Sequence, residues 1–508
     1  MRLALQRGEP ARRNESWFLV SARDRFIAAR SPVEGLSRRR LSFLPVFAQA
    51  VAAVAPAGAM AVIPALVAPA LFLGFTGPNL LLTFGSAMVV IVLVSFCLRP
   101  MAKRMAAVSG LYSYTAKGLG QGPAITVGWS AMFGYGFVAM GSLLAVGIYF
   151  VQFLTNLGAR FADPRLFIVL TITAAAAGAC IIMVRGIRIS SWFTLSVESI
   201  AITVIAVLMI IYFAFNAPKA SLSSELAWDG NVDSLWLGIV VAVSAFVGFE
   251  SATTLGGETY KPFLNIPRAI TLTPLVTGVL FVLAAAAQDM ALKEAPSEIR
   301  ASSTPLSDLL SQTSPVFGAV LDLGIAASWF ACAIASVNAL ARILFCMGRE
   351  GVAPRIVGRT HRTFHSPSTA IFAAVPLVAA VPIAVIVSGT APQQGLAALF
   401  TLGAFGYLGA YVLATASLPF FLRRIGEDTY VSWILGPATS VAIVAVIGEA
   451  ASVSLRTGNL ETVVYGAVLV ASVLYAFFLR FRSPQRLASV GIYDETRELD
   501  LFQGGPTP

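Results

Sequence analysis

Apolar stretches of about 20 residues recur along nearly the whole chain, and they restrict its fold more than any other feature. A helix that crosses a hydrocarbon layer of about 30 Å needs about 20 such residues, because each residue advances it by about 1.5 Å. The 508 residues are 57% hydrophobic and only 12% charged, which is unlike an ordinary water-soluble chain. The sequence therefore predicts an all-α polytopic membrane protein.

The apolar stretches predict about twelve transmembrane helices. The first six lie at about 43–70, 79–99, 124–154, 166–184, 190–214 and 236–256, and the other six at about 269–290, 317–345, 369–388, 396–421, 431–452 and 462–480. These helices form a predicted transmembrane domain at 41–482. A basic tail at 1–40 precedes it and a polar tail at 483–508 follows it.

The positive charges are distributed unevenly between the predicted loops. If residues 1–40, which carry ten Arg, lie in the cytoplasm, then 29 of the 35 Lys and Arg residues fall on the cytoplasmic side. This asymmetry is typical of membrane proteins and fits an even number of spans. It predicts a multi-pass protein of the cytoplasmic membrane with both termini in the cytoplasm. Residues 1–40 also lack the apolar core of a signal peptide, so we expect a retained tail.

Metal and cofactor chemistry has no support in the sequence. The four cysteines lie in or beside apolar stretches without metal-ligand spacing, which is typical of packing residues. His361 and His365 lie in an Arg-rich loop without a third ligand nearby, so we interpret them as solvated. We therefore predict no metal site and no cofactor.

Two of the predicted spans contain residues that interrupt a helix. The first contains Pro56, which lacks a backbone donor, among the small residues of 54–59. The sixth contains Gly248 between two aromatic residues and before Glu250. Unwound backbone at these points exposes N–H groups to a substrate carboxylate and C=O groups to a substrate amine. The alternative, two kinks that bind nothing, stays open.

Each interruption lies in the first span of one half of the predicted transmembrane domain. This is the pattern of inverted five-helix repeats, here predicted at about 43–214 and 236–421, with two extra helices at about 431–480.

Two carboxylates lie deep within predicted spans, where ionisable residues are costly and often functional. Glu198 is about 12 Å into the fifth span, at about 1.5 Å per residue, and is able to load and release a proton there. The alternative is a structural carboxyl bonded to neighbours such as Ser196 or Ser199. For Glu250 we favour a structural role, capping the half-helix that follows Gly248. Asp322 is expected near an outer span end, solvated or interfacial.

Several segments resemble the amino acid, polyamine and organocation permease superfamily over about residues 43–425. One is Ser109-Gly110-Leu111-Tyr112-Ser113-Tyr114, followed by glycines and by Gly128-Trp129. Another is Phe246-Val247-Gly248-Phe249-Glu250 with the later Ile266-Pro267-Arg268. A third runs from Asn338 to Arg342 and continues from Met347 to Pro354, where Glu350 replaces the usual Asp. In the first span, Pro56-Ala57-Gly58 departs from the usual glycine-rich triplet.

The resemblance implies a LeuT-type fold that works by alternating access, with the substrate held between the first, third, sixth, eighth and tenth spans. It implies that Pro56, Ala57, Gly58 and Ala59 face a substrate carboxylate, and that Phe249 acts as an aromatic gate. Carbonyls of Val54, Ser244, Ala245 and Val247 would face the amine, beside Phe246. The full implied substrate site is Val54, Pro56, Ala57, Gly58, Ala59, Ser244, Ala245, Phe246, Val247, Gly248 and Phe249.

The same resemblance makes Glu198 the coupling residue. Proton coupling is expected, and sodium is the alternative, with Ser336 as one candidate ligand. The function predicted is secondary-active import or exchange of amino acids or related amines, and not an enzyme activity. The alternatives are a nutrient receptor that does not transport and a membrane-embedded lipid-modifying enzyme, which would need a cluster of acidic or His residues. Because Glu250 is the one carboxylate expected near the substrate, neutral amino acids or small amines are preferred.

Overall fold

The computed structural model describes residue 36 and residues 41–67, 79–216, 232–293, 295–300, 302, 304–456 and 458–491. The regular elements in these ranges are helices, and an isolated parallel bridge joins Leu41 to Thr259. The N-terminal tail other than Leu36 and the C-terminal tail beyond residue 491 lie outside the described residues. The predicted divisions of the chain into tails and repeats remain predictions.

The helices follow one another in this order. They are α1 (Phe43–Val54), α2 (Pro56–Val67), α3 (Leu80–Ala102), α4 (Leu111–Gly118), α5 (Gln121–Asn156), α6 (Pro164–Val184), α7 (Ile187–Asn216), α8 (Val232–Val243), a 3₁₀ helix (Phe249–Leu255), α9 (Pro262–Lys293), α10 (Ser297–Arg300), α11 (Pro305–Thr313), α12 (Pro315–Glu350), a 3₁₀ helix (Arg355–Gly358), α13 (Ser368–Val387), α14 (Pro392–Arg424), α15 (Tyr430–Arg456), α16 (Glu461–Arg482) and α17 (Pro484–Ala488).

Eleven helical segments of the described chain are long and apolar enough to cross a membrane, counting α1 and α2 together. The predicted sixth span is different, because α8 ends at Val243 and a 3₁₀ helix starts only at Phe249. Its two pieces are each too short to cross a bilayer alone. The predicted all-helical polytopic fold is therefore confirmed for the described residues, and the sixth span contains no helix long enough to cross a membrane.

The interrupted first span lies at the centre of the bundle. The apolar stretch of α1 and α2 is fully buried, whereas only 17% of the corresponding stretch of α16 is buried. Large apolar side chains cover the outside of the bundle, among them Val387 (71% exposed) and Phe481 (80% exposed). An exterior of this kind is favourable only against lipid, so the hydrocarbon layer covers these faces.

Small residues allow the helices around the first span to approach closely. α5 packs against both α12 and α14. A side-chain carbon placed on Gly406 of α14 would lie 2.5 Å from the backbone nitrogen of Gly134 in α5. Such contacts replace the hydrophobic driving force, which is lost when lipid is the solvent.

A buried ion pair connects α12 to the segment that follows the first 3₁₀ helix. Arg342 Nη2 lies 2.7 Å and its Nε 3.1 Å from Glu258 Oε2, and each residue is 2% exposed. The backbone at Glu258 and Tyr260 also binds Leu41, two residues before α1. Leu41 N–H donates to Glu258 O (3.1 Å), and Tyr260 N–H donates to Leu41 O (2.8 Å). One cluster thus joins the beginning of α1, this segment and α12.

We expect Glu258→Gln to lower the free energy of unfolding by about 3–5 kcal/mol, because Arg342 would remain buried without a counter-charge. Thermal unfolding of the purified protein in detergent would measure this loss. Glu427→Gln is the matched control, since Glu427 pairs with Arg104 but its side chain is 51% exposed. Exposed pairs contribute only about 0–1 kcal/mol. If both variants lose the same free energy of unfolding, burial is not what makes the Arg342–Glu258 pair important for stability.

Candidate substrate-binding site

The first span is interrupted at a single residue, Ala55. Its φ and ψ of 51° and 59° lie in the left-handed region, which is uncommon for a residue with a side chain. The following Pro56 has no N–H and disfavours right-handed helix in the residue before it, so the helical pattern stops here. The break thus falls at Ala55, one residue before the proline that signals it.

The first N–H groups of α2 bind side chains of two other helices. Gly58 N–H donates to Ser328 Oγ of α12 (2.8 Å), and Ala57 N–H points to Glu198 Oε2 of α7 at 3.5 Å. Ser328 Oγ–H in turn donates to Glu198 Oε1 (2.6 Å). The N-terminus of a helix is a favourable place for a carboxylate, because its unpaired N–H groups and its dipole both attract negative charge. Here a carboxyl of the protein itself occupies that place.

The carbonyl groups released by the break face the second interruption. Ala53 O loses its helical partner, because Ala57 N–H points to Glu198, and it accepts a hydrogen bond from Cys332 Sγ–H (3.2 Å). Gly248 lies against the same carbonyl, since a side-chain carbon there would be 2.8 Å from Ala53 O. The two interruptions are therefore in direct contact.

The backbone of the sixth span turns sharply between α8 and the 3₁₀ helix. The turn ends at Gly248, whose φ of 101° is readily adopted only by glycine. Glu250 follows at once and is fully buried. Its two carboxyl oxygens accept hydrogen bonds from Tyr135 Oη of α5 (2.7 Å) and Tyr411 Oη of α14 (2.5 Å). Glu250 thus connects this segment to α5 and α14, and the capping role predicted for it stays a prediction.

Every residue predicted for the substrate site is buried. The set comprises Val54, Pro56, Ala57, Gly58, Ala59, Ser244, Ala245, Phe246, Val247, Gly248 and Phe249. The predicted coupling residue Glu198 is 1% exposed and contacts the same region. The arrangement is closed to solvent, so a substrate reaches it only when the surrounding helices move. Their roles in binding remain predictions.

Sequence reasoning missed the aromatic residues that surround the interruptions. Trp329 is 1% exposed, stacks on Phe400 (centroids 4.8 Å apart) and packs against the backbone of Gly58. Tyr407 is fully buried between Tyr135 and Tyr411. Within the described chain, Trp329 Nε1 makes no hydrogen bond. An aromatic residue within an apolar span gives no signal by itself, because most such residues only fill space.

The structure corrects two expectations about acidic residues. Glu198 does not bond to Ser196 or Ser199, which are exposed on another face of α7, but to Ser328 of α12. Asp322 is not solvated, since it is fully buried and accepts a hydrogen bond from Asn156 Nδ2 (2.8 Å). In both cases a helix from a distant part of the sequence supplies the partner.

A bundle of membrane-crossing helices with two interrupted spans in contact is the architecture of a secondary transporter. The sequence profile of the amino acid permease family matches residues 41–492. The chain therefore belongs to the amino acid permease family. Its function as a membrane transporter, and not as an enzyme, is thereby confirmed.

Several known transporters are similar to this chain. An uncharacterized transporter of Mycobacterium tuberculosis (strain H37Rv) is 26% identical over 382 residues, covering 75% of this chain and 80% of that protein. A low-affinity putrescine importer of Escherichia coli K12 is 23% identical over 304 residues, covering 58% of this chain and 65% of that importer. A branched-chain amino acid permease of Lactococcus lactis is 24% identical over 372 residues, covering 70% of this chain and 77% of that permease.

Among solved structures, the nucleobase-cation-symport-1 family transporter Mhp1 in a closed conformation with bromovinylhydantoin bound superposes with a TM-score of 0.49 at 15% identity. The superposition covers 90% of this chain and 97% of Mhp1.

Proposed function

We propose that the protein imports or exchanges amino acids or related amines by alternating access, with the substrate bound where the two interrupted spans meet. The observation that carries this proposal is the contact between Gly248 and the released carbonyl of Ala53. Backbone groups freed at two facing interruptions are a means of holding a small polar molecule inside a membrane protein. The named relatives include a putrescine importer and a branched-chain amino acid permease, so both substrate classes occur among proteins similar to this one.

We further propose that the protein lies in the cytoplasmic membrane with both termini in the cytoplasm. The support is the excess of Lys and Arg in the loops of one side.

Coupling to protons is proposed to run through Glu198. This carboxyl is buried at the N-terminus of α2 and contacts both α2 and α12. A proton gained or lost there changes the hydrogen bonds between three helices, because a neutral carboxyl binds N–H groups less strongly than a carboxylate does. Loading and release of a proton would thus alter the relative stability of two arrangements of the bundle. Sodium remains the alternative coupling ion.

We expect Glu198→Gln to abolish the pH dependence of uptake in proteoliposomes. A gradient of one pH unit stores about 1.4 kcal/mol per proton, enough for about tenfold accumulation. The wild-type protein should approach this ratio under one polarity of the gradient, and the variant should stop at equal concentrations inside and outside. The measurement is uptake of labelled amino acids and amines under both polarities, with protein-free liposomes as the blank.

Glu427→Gln serves as the control for this experiment, because it removes a carboxylate from an exposed ion pair. It should leave accumulation unchanged. If Glu198→Gln accumulates substrate with the wild-type pH profile, Glu198 is not the coupling residue. If the wild-type protein transports none of the compounds but binds one of them, the receptor function is the correct one.

A further inference from the structure

The place that a substrate carboxylate would take is filled by the protein. In the sequence-based prediction, N–H groups at the start of α2 bind the carboxylate of an amino acid. In the structure, Gly58 N–H donates to Ser328 Oγ and Ala57 N–H points to Glu198 Oε2. Ser328 Oγ–H donates to the other oxygen of the same carboxyl. A carboxyl group of the protein therefore already lies at this helix terminus, which is a favourable place for an anion.

The two buried carboxyls of this region have no cationic partner in the described chain. Glu198 and Glu250 are both buried, and within the described residues neither forms an ion pair. The buried cation Arg342 does not compensate them, because it is paired with Glu258. A buried carboxylate is costly without a nearby cation. A substrate carrying a net positive charge would stabilise the ionised form of either carboxyl, whereas a substrate carboxylate would repel that form.

Aromatic side chains lie near both carboxyls. Trp329 and Phe400 stack on one side, next to Gly58, and Tyr407 and Tyr411 lie on the side of Glu250. Faces of aromatic rings attract organic cations, and the attraction increases when water is excluded. Carboxyls combined with aromatic faces form an environment suited to an alkylammonium group. Trp329 Nε1, which has no hydrogen-bond partner in the described chain, leaves a neutral N–H donor for a hydroxyl or amide group of a substrate.

We propose that this transporter carries cationic amines that lack a carboxylate, such as alkylamines and diamines, and that Glu198 supplies the carboxylate that an amino acid would bring. The proposal rests on the transport function proposed above and narrows its substrate class. It also corrects the expectation that Glu250 is the one carboxylate near the substrate, because Glu198 lies there too. A carboxylate that binds an ammonium group in one step of the cycle and a proton in another serves binding and coupling alike.

Pairs of compounds that differ only by a carboxylate test the proposal directly. Proteoliposomes would be loaded with one compound and assayed for exchange of its radiolabelled form, using putrescine against ornithine, agmatine against arginine, and isopentylamine against leucine. We expect exchange of at least one amine, with half-saturation at a concentration about tenfold or more below that of its amino acid. An amino acid exchanged as well as or better than its amine would overturn the proposal while transport itself stands. Exchange of no compound would overturn both.

Two variants assign the preference to Glu198. Glu198→Gln keeps the shape and the ability to accept from Ser328 but removes the charge, so the half-saturation concentration for the amine should rise about tenfold or more. Ser328→Ala keeps the charge and should retain the preference for the amine over its amino acid. Glu427→Gln is the surface control. Unchanged affinity for the amine in Glu198→Gln would contradict the assigned role. Tighter binding of the amino acid in that variant would support it, because the charge that disfavours a substrate carboxylate has been removed.

Discussion

Gly248→Val should reduce transport to below about 1% of the wild-type rate, a loss of about 2.7 kcal/mol or more at 1.4 kcal/mol per tenfold. The left-handed φ of 101° is strained for a β-branched residue. The first carbon of the new side chain would also lie 2.8 Å from Ala53 O, which is backbone and unable to rotate away. The two interrupted spans would be forced apart where they touch. Exchange in proteoliposomes, after size-exclusion chromatography has shown a folded protein, would measure the loss.

Gly120→Val is the matched control for that variant. Gly120 also has a left-handed φ, 96°, but no atom lies within 4 Å of the position its side chain would occupy. The control therefore shares the backbone strain and lacks the collision. If Gly120→Val reduces transport as much as Gly248→Val does, strain alone is the cause. If Gly248→Val retains more than about a tenth of the wild-type rate, the contact with α1 is not essential.

Gly58→Val should reduce transport by about 100-fold or more for a different reason. Its backbone is ordinary helix, but the added carbon would lie 2.7 Å from Trp329 Nε1 and 2.9 Å from two other atoms of the indole ring. Trp329 is buried against Phe400 and has little room to move. The collision displaces either the ring or the N-terminus of α2, and with it the hydrogen bonds to Ser328 and Glu198. Transport and the fluorescence spectrum of the folded variant would measure both effects.

Gly324→Val distinguishes this collision from a general intolerance of valine within membrane helices. Gly324 lies in α12, the helix that carries Trp329, and no atom lies within 4 Å of its missing side chain. We expect transport within about twofold of wild type in this control. Normal transport by Gly58→Val would mean that the close approach between α2 and Trp329 is not needed for function.

The features that follow from local chemistry were predictable. The length of the apolar stretches predicted the positions of the membrane spans. The absence of an N–H in Pro56 and the freedom of Gly248 marked both interruptions, although the first falls at Ala55, because proline constrains the residue before it. The broken sixth span appeared as a continuous stretch in the apolar pattern, since hydropathy does not register a change from α-helix to 3₁₀ helix.

The contacts of Glu198 could not be predicted in the same way. Its partner Ser328 is 130 residues away, on a helix that is apolar over most of its circumference. Hydrophobic periodicity indicates which face of a helix is buried only when another face is polar. α12 and α7 have no polar face that contrasts with a buried apolar one. Packing against neighbouring helices therefore determines which of their residues face inward. The nearest hydroxyls in sequence, Ser196 and Ser199, were for that reason the wrong partners.

The ion pair between Arg342 and Glu258 also affects the rate of transport. Glu258 belongs to the segment that pairs with Leu41, so a motion that moves the beginning of α1 away from α12 must break either a desolvated ion pair or two backbone hydrogen bonds. Such a rupture contributes mainly to the activation enthalpy. If this step limits transport, the transport rate would rise steeply with temperature. Weakening the ion pair would make the rate less dependent on temperature, even where the affinity for substrate stays the same.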